Sequence, residues 1–171
     1  PADCAELADP TRSLLGPAQE QWLDAGLAAD AKHDHTRWSV LAQQTLFSPR
    51  RYPSGQVAAD GWDGYPAARE RLLQSVQRHS PRNTVLLGGD IHQNYVCNVH
   101  APGAGGDRPV LASEFCGTSI SSRAGTTQDK VDAIARHNPH VLLARCEERG
   151  YGLADITPEQ WTTTLRAVDN P

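Results

Sequence analysis

The stretch Thr84-Val85-Leu86-Leu87-Gly88-Gly89-Asp90-Ile91-His92-Gln93-Asn94 constrains this chain more than any other. A short apolar run closed by paired glycines is too brief for a helix and reads as a buried strand. If the backbone stays extended through Asp90 and His92, the period of two puts both side chains on one face. Glycines beside them admit a close approach of backbone or ligand. A carboxylate oxygen next to an imidazole nitrogen at a strand end suits a divalent or trivalent metal in an open sheet. Asp90 and His92 are therefore the candidate metal ligands. The plainer alternative is a capped strand end followed by a surface histidine.

At 171 residues the chain is long enough for one domain with a real core, and no repeat, low-complexity tract or composition shift divides it. Its formal net charge is -4, with no basic stripe that would mark a nucleic-acid surface. No apolar run approaches the roughly 20 residues of a membrane-spanning helix. The chain opens at Pro1 and holds no methionine, which points to a processed or excised product of something longer. Cys4, Cys97, Cys116 and Cys146 include no C-x-x-C pair, so a zinc ribbon has no support, and buried free thiols are favoured over bridges.

The rest of the pattern is mixed α/β. Residues 1–15 read as a loop. Pro17 suits a first helical position, and Trp22, Leu23 and Leu27 at helical spacing carry that helix to about Ala29. Lys32 to His35 is a polar connection. Trp38 to Phe47 is β-prone enough for a strand, though the Gln43-Gln44 pair interrupts it, and Ser48 to Tyr65 is a long loop rich in Pro and Gly, of a kind often functional. Ala67 to His79 is helical, with Leu72, Leu73 and Val76 on one face. Tyr95–His100, Pro109–Phe115, Val141–Arg145, Gly150–Ile156 and Trp161–Val168 read as further strands, with a turn at Ala101–Asp107. Thr126 or Thr127 can cap a helix reaching about Arg136. Thr157-Pro158-Glu159-Gln160 resembles a capping box. The β-branched alternation after it instead makes it the turn of an antiparallel hairpin.

Several other groups carry two readings each. Asp60-Gly61-Trp62-Asp63-Gly64-Tyr65-Pro66 is either a turn cluster or the rim of an active site, with Trp62, Asp63 and Tyr65 shaping a substrate pocket. Arg50-Arg51-Tyr52 is a solvated loop or a phosphate contact through guanidinium forks, with Arg51 the candidate. Asn138-Pro139-His140 is a turn fixing strand entry, or it brings His140 to catalysis. Glu114 and Ser119–Ser122 follow or end a strand, where open sheets place ligands, and a structural role is favoured for them. Cys116 reads as a small buried hydrophobe.

Taken in order, Leu15-Gly16-Pro17-Ala18-Gln19-Glu20-Gln21-Trp22-Leu23, Trp38 to Gln44, Asp60 to Arg69, Gly89-Asp90-Ile91-His92, Glu114 to Ser122, Asn138-Pro139-His140, Gly150-Tyr151 and the Trp161 strand resemble the PhoD-like alkaline phosphatases. These are a branch of the calcineurin-like metallophosphoesterases. The resemblance covers nearly the whole chain but only the C-terminal half of that phosphatase domain. It implies half of a four-layer α/β/β/α fold, a mixed β-sheet sandwich flanked by helices with a C-terminal antiparallel hairpin. It implies hydrolysis of phosphate esters at a dinuclear centre of iron and calcium, to which Asp90 and His92 contribute. It also implies a periplasmic or extracellular site. Two side chains cannot supply the on the order of eight donor atoms such a centre needs. The missing N-terminal half, in cis or as a second chain, is thus the expected partner beside the phosphate-ester substrate. Alone, the chain is expected to be inactive. The competing class is a non-catalytic fragment or subunit that pairs with another chain through an exposed sheet edge.

Overall fold

The computed structural model describes residues 4–33, 35–79, 81, 83–103 and 108–168. Part of the expected turn at Ala101–Asp107, and Asp34 in the polar connection, lie outside the described residues. A 3-10 turn at Ala5–Ala8 interrupts the N-terminal loop. Helix α1 spans Pro17–Asp30, with its proline at the first turn where no N–H is needed. Leu27 is buried on it, but Trp22 is 71% exposed, so the expected three-residue apolar face shrinks to its far end. Helix α2, Pro66–His79, lies against α1. Its Leu72 and Leu73 pack on a core of Phe47, Trp62, Ala68, Leu86, Val99 and Ala112. Arg71 of α2 grips Glu20 of α1 through Nε at 2.8 Å.

Strand β1, Ser39–Ala42, is parallel to β2, Thr84–Gly88. β2 is parallel to β4, Val110–Cys116. Strand β3, Asn94–His100, runs antiparallel between β4 and β5, Val141–Arg145, so the five-stranded order is β1-β2-β4-β3-β5. Helix α3, Gln128–His137, packs against β5 and buries Val131 and Ile134. The register pairs Ala42 with Leu87, and Gly88 with Cys116. The carboxyl ends of β1, β2 and β4 therefore share one edge. The antiparallel register Tyr95↔Cys116 brings the start of β3 to that same edge. In open α/β sheets this edge is where ligands bind.

β1 is shorter than the expected Trp38–Phe47 strand. The chain leaves the sheet at Gln43, whose Oε1 accepts from Thr45 N at 3.1 Å while its Nε2 donates to Thr45 O. This local loop competes with the ladder. It crosses close over β2: a Cβ on Gly88 would sit 2.3 Å from the Thr45 carbonyl oxygen, which requires glycine there.

Strands β6, Arg149–Ile156, and β7, Trp161–Val168, form a separate antiparallel hairpin, as expected. Thr157 closes its turn, with its N–H donating to Gln160 O at 2.8 Å and its Oγ1 accepting from Gln160 N at 3.0 Å. The hairpin is tethered at both ends. Gly150 N donates to Ser119 O at 3.0 Å near the carboxyl edge. Trp38 Nε1 donates to Thr157 O at 2.7 Å at the opposite edge, and Trp38 meets Trp161 edge-on with ring centres 5.6 Å apart. Between the tethers Tyr151, Leu153 and Ile156 are about half exposed. All four cysteines are free thiols; Cys97, Cys116 and Cys146 are buried and Cys4 is exposed.

Candidate functional site

Asp90 and His92 stand on the short connection between β2 and β3, at the carboxyl edge. The extended backbone that would have given them a common face ends at Gly88. Asp90 then takes φ +67° and His92 φ +55°, and Ile91 N donates back to Gly89 O at 2.8 Å. The period-of-two argument therefore does not apply to this pair. Two non-glycine residues in the left-handed region within one short turn are uncommon, and such strain collects at functional sites. Asp90 is exposed and lines a cleft of about 110 Å³ with Arg50, Asp60, Trp62, Asp63 and Ile91. His92 opens onto a neighbouring, broader hollow of about 1080 Å³ with Thr118, Ser121, Arg123 and Lys130.

His92 Nδ1 lies 3.1 Å from the Arg123 carbonyl oxygen. A carbonyl can only accept, so the neutral ring carries its proton on Nδ1 and leaves the Nε2 lone pair outward. This is the arrangement that orients a metal-ligating histidine. The donor set, a hard carboxylate and an oriented imidazole, fits a cation such as iron or calcium in part. Among the described residues no group of three or more His, Cys, Asp or Glu could hold a metal by itself. Asp90 and His92 line different hollows, so each could lend one donor but the two do not make a shared site by themselves.

The other expected site residues separate. Trp62 and Asp63 reach the wall of the Asp90 cleft, on a 3-10 turn at Trp62–Gly64. Their polar atoms are engaged within the protein. Trp62 is buried edge-on against Phe47, with ring centres 4.9 Å apart, and its Nε1 donates to Gln43 Oε1 at 3.0 Å. Asp63 accepts from Arg69 Nη1 at 2.6 Å and from Arg50 N at 2.9 Å. Tyr65 does not line the cleft, and the Arg12 guanidinium lies 4.6 Å over its ring. Arg51 is exposed and does not line the Asp90 cleft.

Sequence reasoning missed what holds residues 47–51. Glu114 on β4 is completely buried, and its two carboxylate oxygens accept from Phe47 N at 2.6 Å and Ser48 N at 2.8 Å. Burial pushes its pKa up, opposed by these donors and by Arg69. The His140 ring donates through Nε2 to Pro49 O at 2.8 Å, and burial lowers its pKa, which favours the neutral ring that this bond uses. Asn138, 1% exposed at the end of α3, accepts from Arg51 N at 3.0 Å and returns a bond from Nδ2 to Arg51 O at 2.8 Å. With Asp63 on Arg50 N, every residue from Phe47 to Arg51 is gripped by a side chain distant in sequence. His140 is thus in a structural position rather than in the cleft. Strand parity carried a signal for Glu114: it alternates with Ala112 and Cys116, the buried face of β4. A carboxylate on a buried face demands donors.

Ser119–Ser122 hold the loop after β4: Ser119 Oγ donates to Ser122 O, and Ser121 O accepts from Arg149 Nε at 3.1 Å. Cys116 is buried, as expected, and Sγ donates weakly to Gly89 O at 3.4 Å. Burial raises the pKa values of Cys116 and Cys97, so neither thiol is a ready anionic ligand.

The sheet is mixed, with β1, β2 and β4 parallel and β3 antiparallel to both its neighbours, and an acid and an imidazole follow the carboxyl end of β2. The chain belongs to the PhoD-like phosphatase family, whose model matches residues 1–165. It is 36% identical over 169 residues to alkaline phosphatase D of Bacillus subtilis (strain 168), covering 95% of this chain and 28% of that protein. A solved structure described as the structure of PhoD superposes with a TM-score of 0.81 at 35% identity, covering 95% of this chain and 31% of that one. The chain therefore spans about three-tenths of the length of these relatives.

Proposed function

We propose that this chain is the C-terminal part of a metal-dependent phosphoric ester hydrolase, and that it becomes active only with the segment its relatives carry outside the matched region. The observation that carries the reading is the family match across residues 1–165, combined with Asp90 and His92 at the carboxyl edge of the sheet. Asp90 contributes a charged oxygen donor. His92 contributes Nε2, held in place by the Arg123 carbonyl. A bound dinuclear centre, with iron and calcium implied by the family, would supply positive charge to the phosphoryl oxygens and an activated water-derived nucleophile. Trp62 and Asp63 form the wall beside it, and no Ser or Cys nucleophile is required.

The relative's name, alkaline phosphatase D, supports a phosphate ester as substrate. An exported location follows from the same kinship. Among the described residues no helix is long and apolar enough to cross a membrane. The half-exposed hairpin residues offer a surface for the remaining part of the domain, in cis or as a second chain.

The test compares the chain alone with the same chain joined to the upstream segment. Metal content comes from inductively coupled plasma mass spectrometry and activity from nitrophenyl phosphate hydrolysis. The joined protein should bind metal and hydrolyse, and D90N and H92A should lower both. A joined protein that binds metal equally well in both variants would remove Asp90 and His92 from the centre. A metal-free, inactive joined protein would favour the non-catalytic subunit.

A further inference from the structure

The five-residue segment 47–51 is held more tightly than a loop needs. Five side chains from four separate places in the fold bind its backbone: Glu114 from β4, Asp63 and Arg69 from the turn and helix after it, Asn138 from the end of α3, and His140 from the entry to β5. Three of them are carboxyl or guanidinium side chains, and Glu114 has no solvent exposure. Burying a carboxylate is expensive, and simpler chemistry would satisfy two N–H groups. What the segment displays is Arg50. Its backbone is fixed by Asp63, and its side chain lines the same 110 Å³ cleft as Asp90.

The cleft's charges decide what Arg50 can meet. Asp63 is matched by Arg69 at 2.6 Å and by the Arg50 N–H. Asp90 is the carboxylate assigned to a cation above. Asp60 is the third carboxylate of the cleft, and the Arg50 guanidinium lies over the Tyr52 ring at 5.4 Å, a contact through its face that leaves its edge of donors suited to two oxygens of one phosphoryl group. Arg51, the neighbour that the sequence favoured, lies outside this cleft.

We infer that Arg50 is the side chain of this chain that grips the substrate's phosphoryl group, and that Glu114, Asn138 and His140 are positioning residues that hold it there through the backbone of 47–51. This rests on the phosphoesterase reading. Arg50 would orient the phosphoryl group, and a metal centre, when bound, would supply the charge that polarises it.

The experiment uses the metal-loaded, hydrolytically competent protein and inorganic phosphate as the probe. Phosphate affinity is measured by calorimetry and as a competitive inhibition constant. R50A should weaken phosphate binding and raise KM at least tenfold with metal content unchanged. R50K, which keeps the charge but loses the fork, should fall between. The exposed α3 variant R136A should not change either value. E114Q should raise KM several-fold, leave metal content intact, and speed hydrogen exchange at the Phe47 and Ser48 amides, a signature that a remote stability loss would not confine to these two positions. Unchanged phosphate affinity in R50A, or the loss appearing in R51A instead, would overturn the assignment while leaving the hydrolase reading standing. A wild type that binds phosphate through Arg50 without hydrolysing esters would do the reverse. A wild type that does neither would end both.

Discussion

Glu114 and His140 set opposite demands on the solvent. Glu114→Ala leaves the Phe47 and Ser48 N–H groups buried without acceptors. At about 1–3 kcal/mol for each unsatisfied group, the variant should lose on the order of 3 kcal/mol in urea unfolding. A loss under about 1 kcal/mol would mean that the segment relaxes to water. His140 has its pKa lowered by burial. Between that depressed value and the ordinary histidine value near 6.5, the unfolded chain takes up a proton that the native chain refuses. Stability from this group is therefore full above that window and is lost as pH falls through it. H140Q should flatten the fall, and unfolding midpoints measured from pH 7.5 down to pH 5 in both proteins would show it. The partners of neither were legible in the sequence, because they lie far off along the chain, although parity with Ala112 and Cys116 marks Glu114 as sharing the buried face of β4. The acid and imidazole of the β2–β3 connection were legible, because paired glycines after an apolar run mark a strand end. Their left-handed backbone was not, because nothing local to Asp90 or His92 forces it.

Elements were readable where one periodicity ruled. α2 and the hairpin match their patterns because an apolar face or a β-branched alternation runs their whole length. β1 was read too long because the strand was carried past the Gln43-Gln44 interruption, where the Gln43 side chain bonds to the backbone two residues on. The crossing of that loop over β2 gives a sharp prediction. Gly88→Ala should cost roughly 2–3 kcal/mol, since the clash is with the Thr45 backbone rather than with a movable side chain. Circular dichroism melts of this variant beside G26A, where a Cβ meets nothing within 4 Å and the backbone is not left-handed, would separate crowding from the general effect of replacing glycine. The hairpin also predicts behaviour. A two-stranded sheet with apolar residues half exposed is a site of self-association. The chain alone should show concentration-dependent mass in sedimentation velocity, and the double variant Y151T/L153T should reduce it.

At the scale of the whole molecule, the five-stranded sheet and its helices are joined by contacts that do not involve a metal. Chelator treatment should therefore leave the thermal midpoint of the isolated chain within about 1 °C, whereas a chain folded around a structural ion would unfold. A drop of several degrees would show that donors of this chain already hold an ion. The same long-range wiring has a temporal consequence. The acceptors of Phe47 N–H lie 67 residues downstream, and the imidazole that meets Pro49 lies 91 residues downstream. During synthesis α1, α2 and the parallel strands β1 and β2 emerge well before those partners exist. The phosphate-facing segment stays unshaped until residue 140 has cleared the ribosomal tunnel, so a translation stall before that point yields a nascent chain able to collapse but not to recognise its ligand.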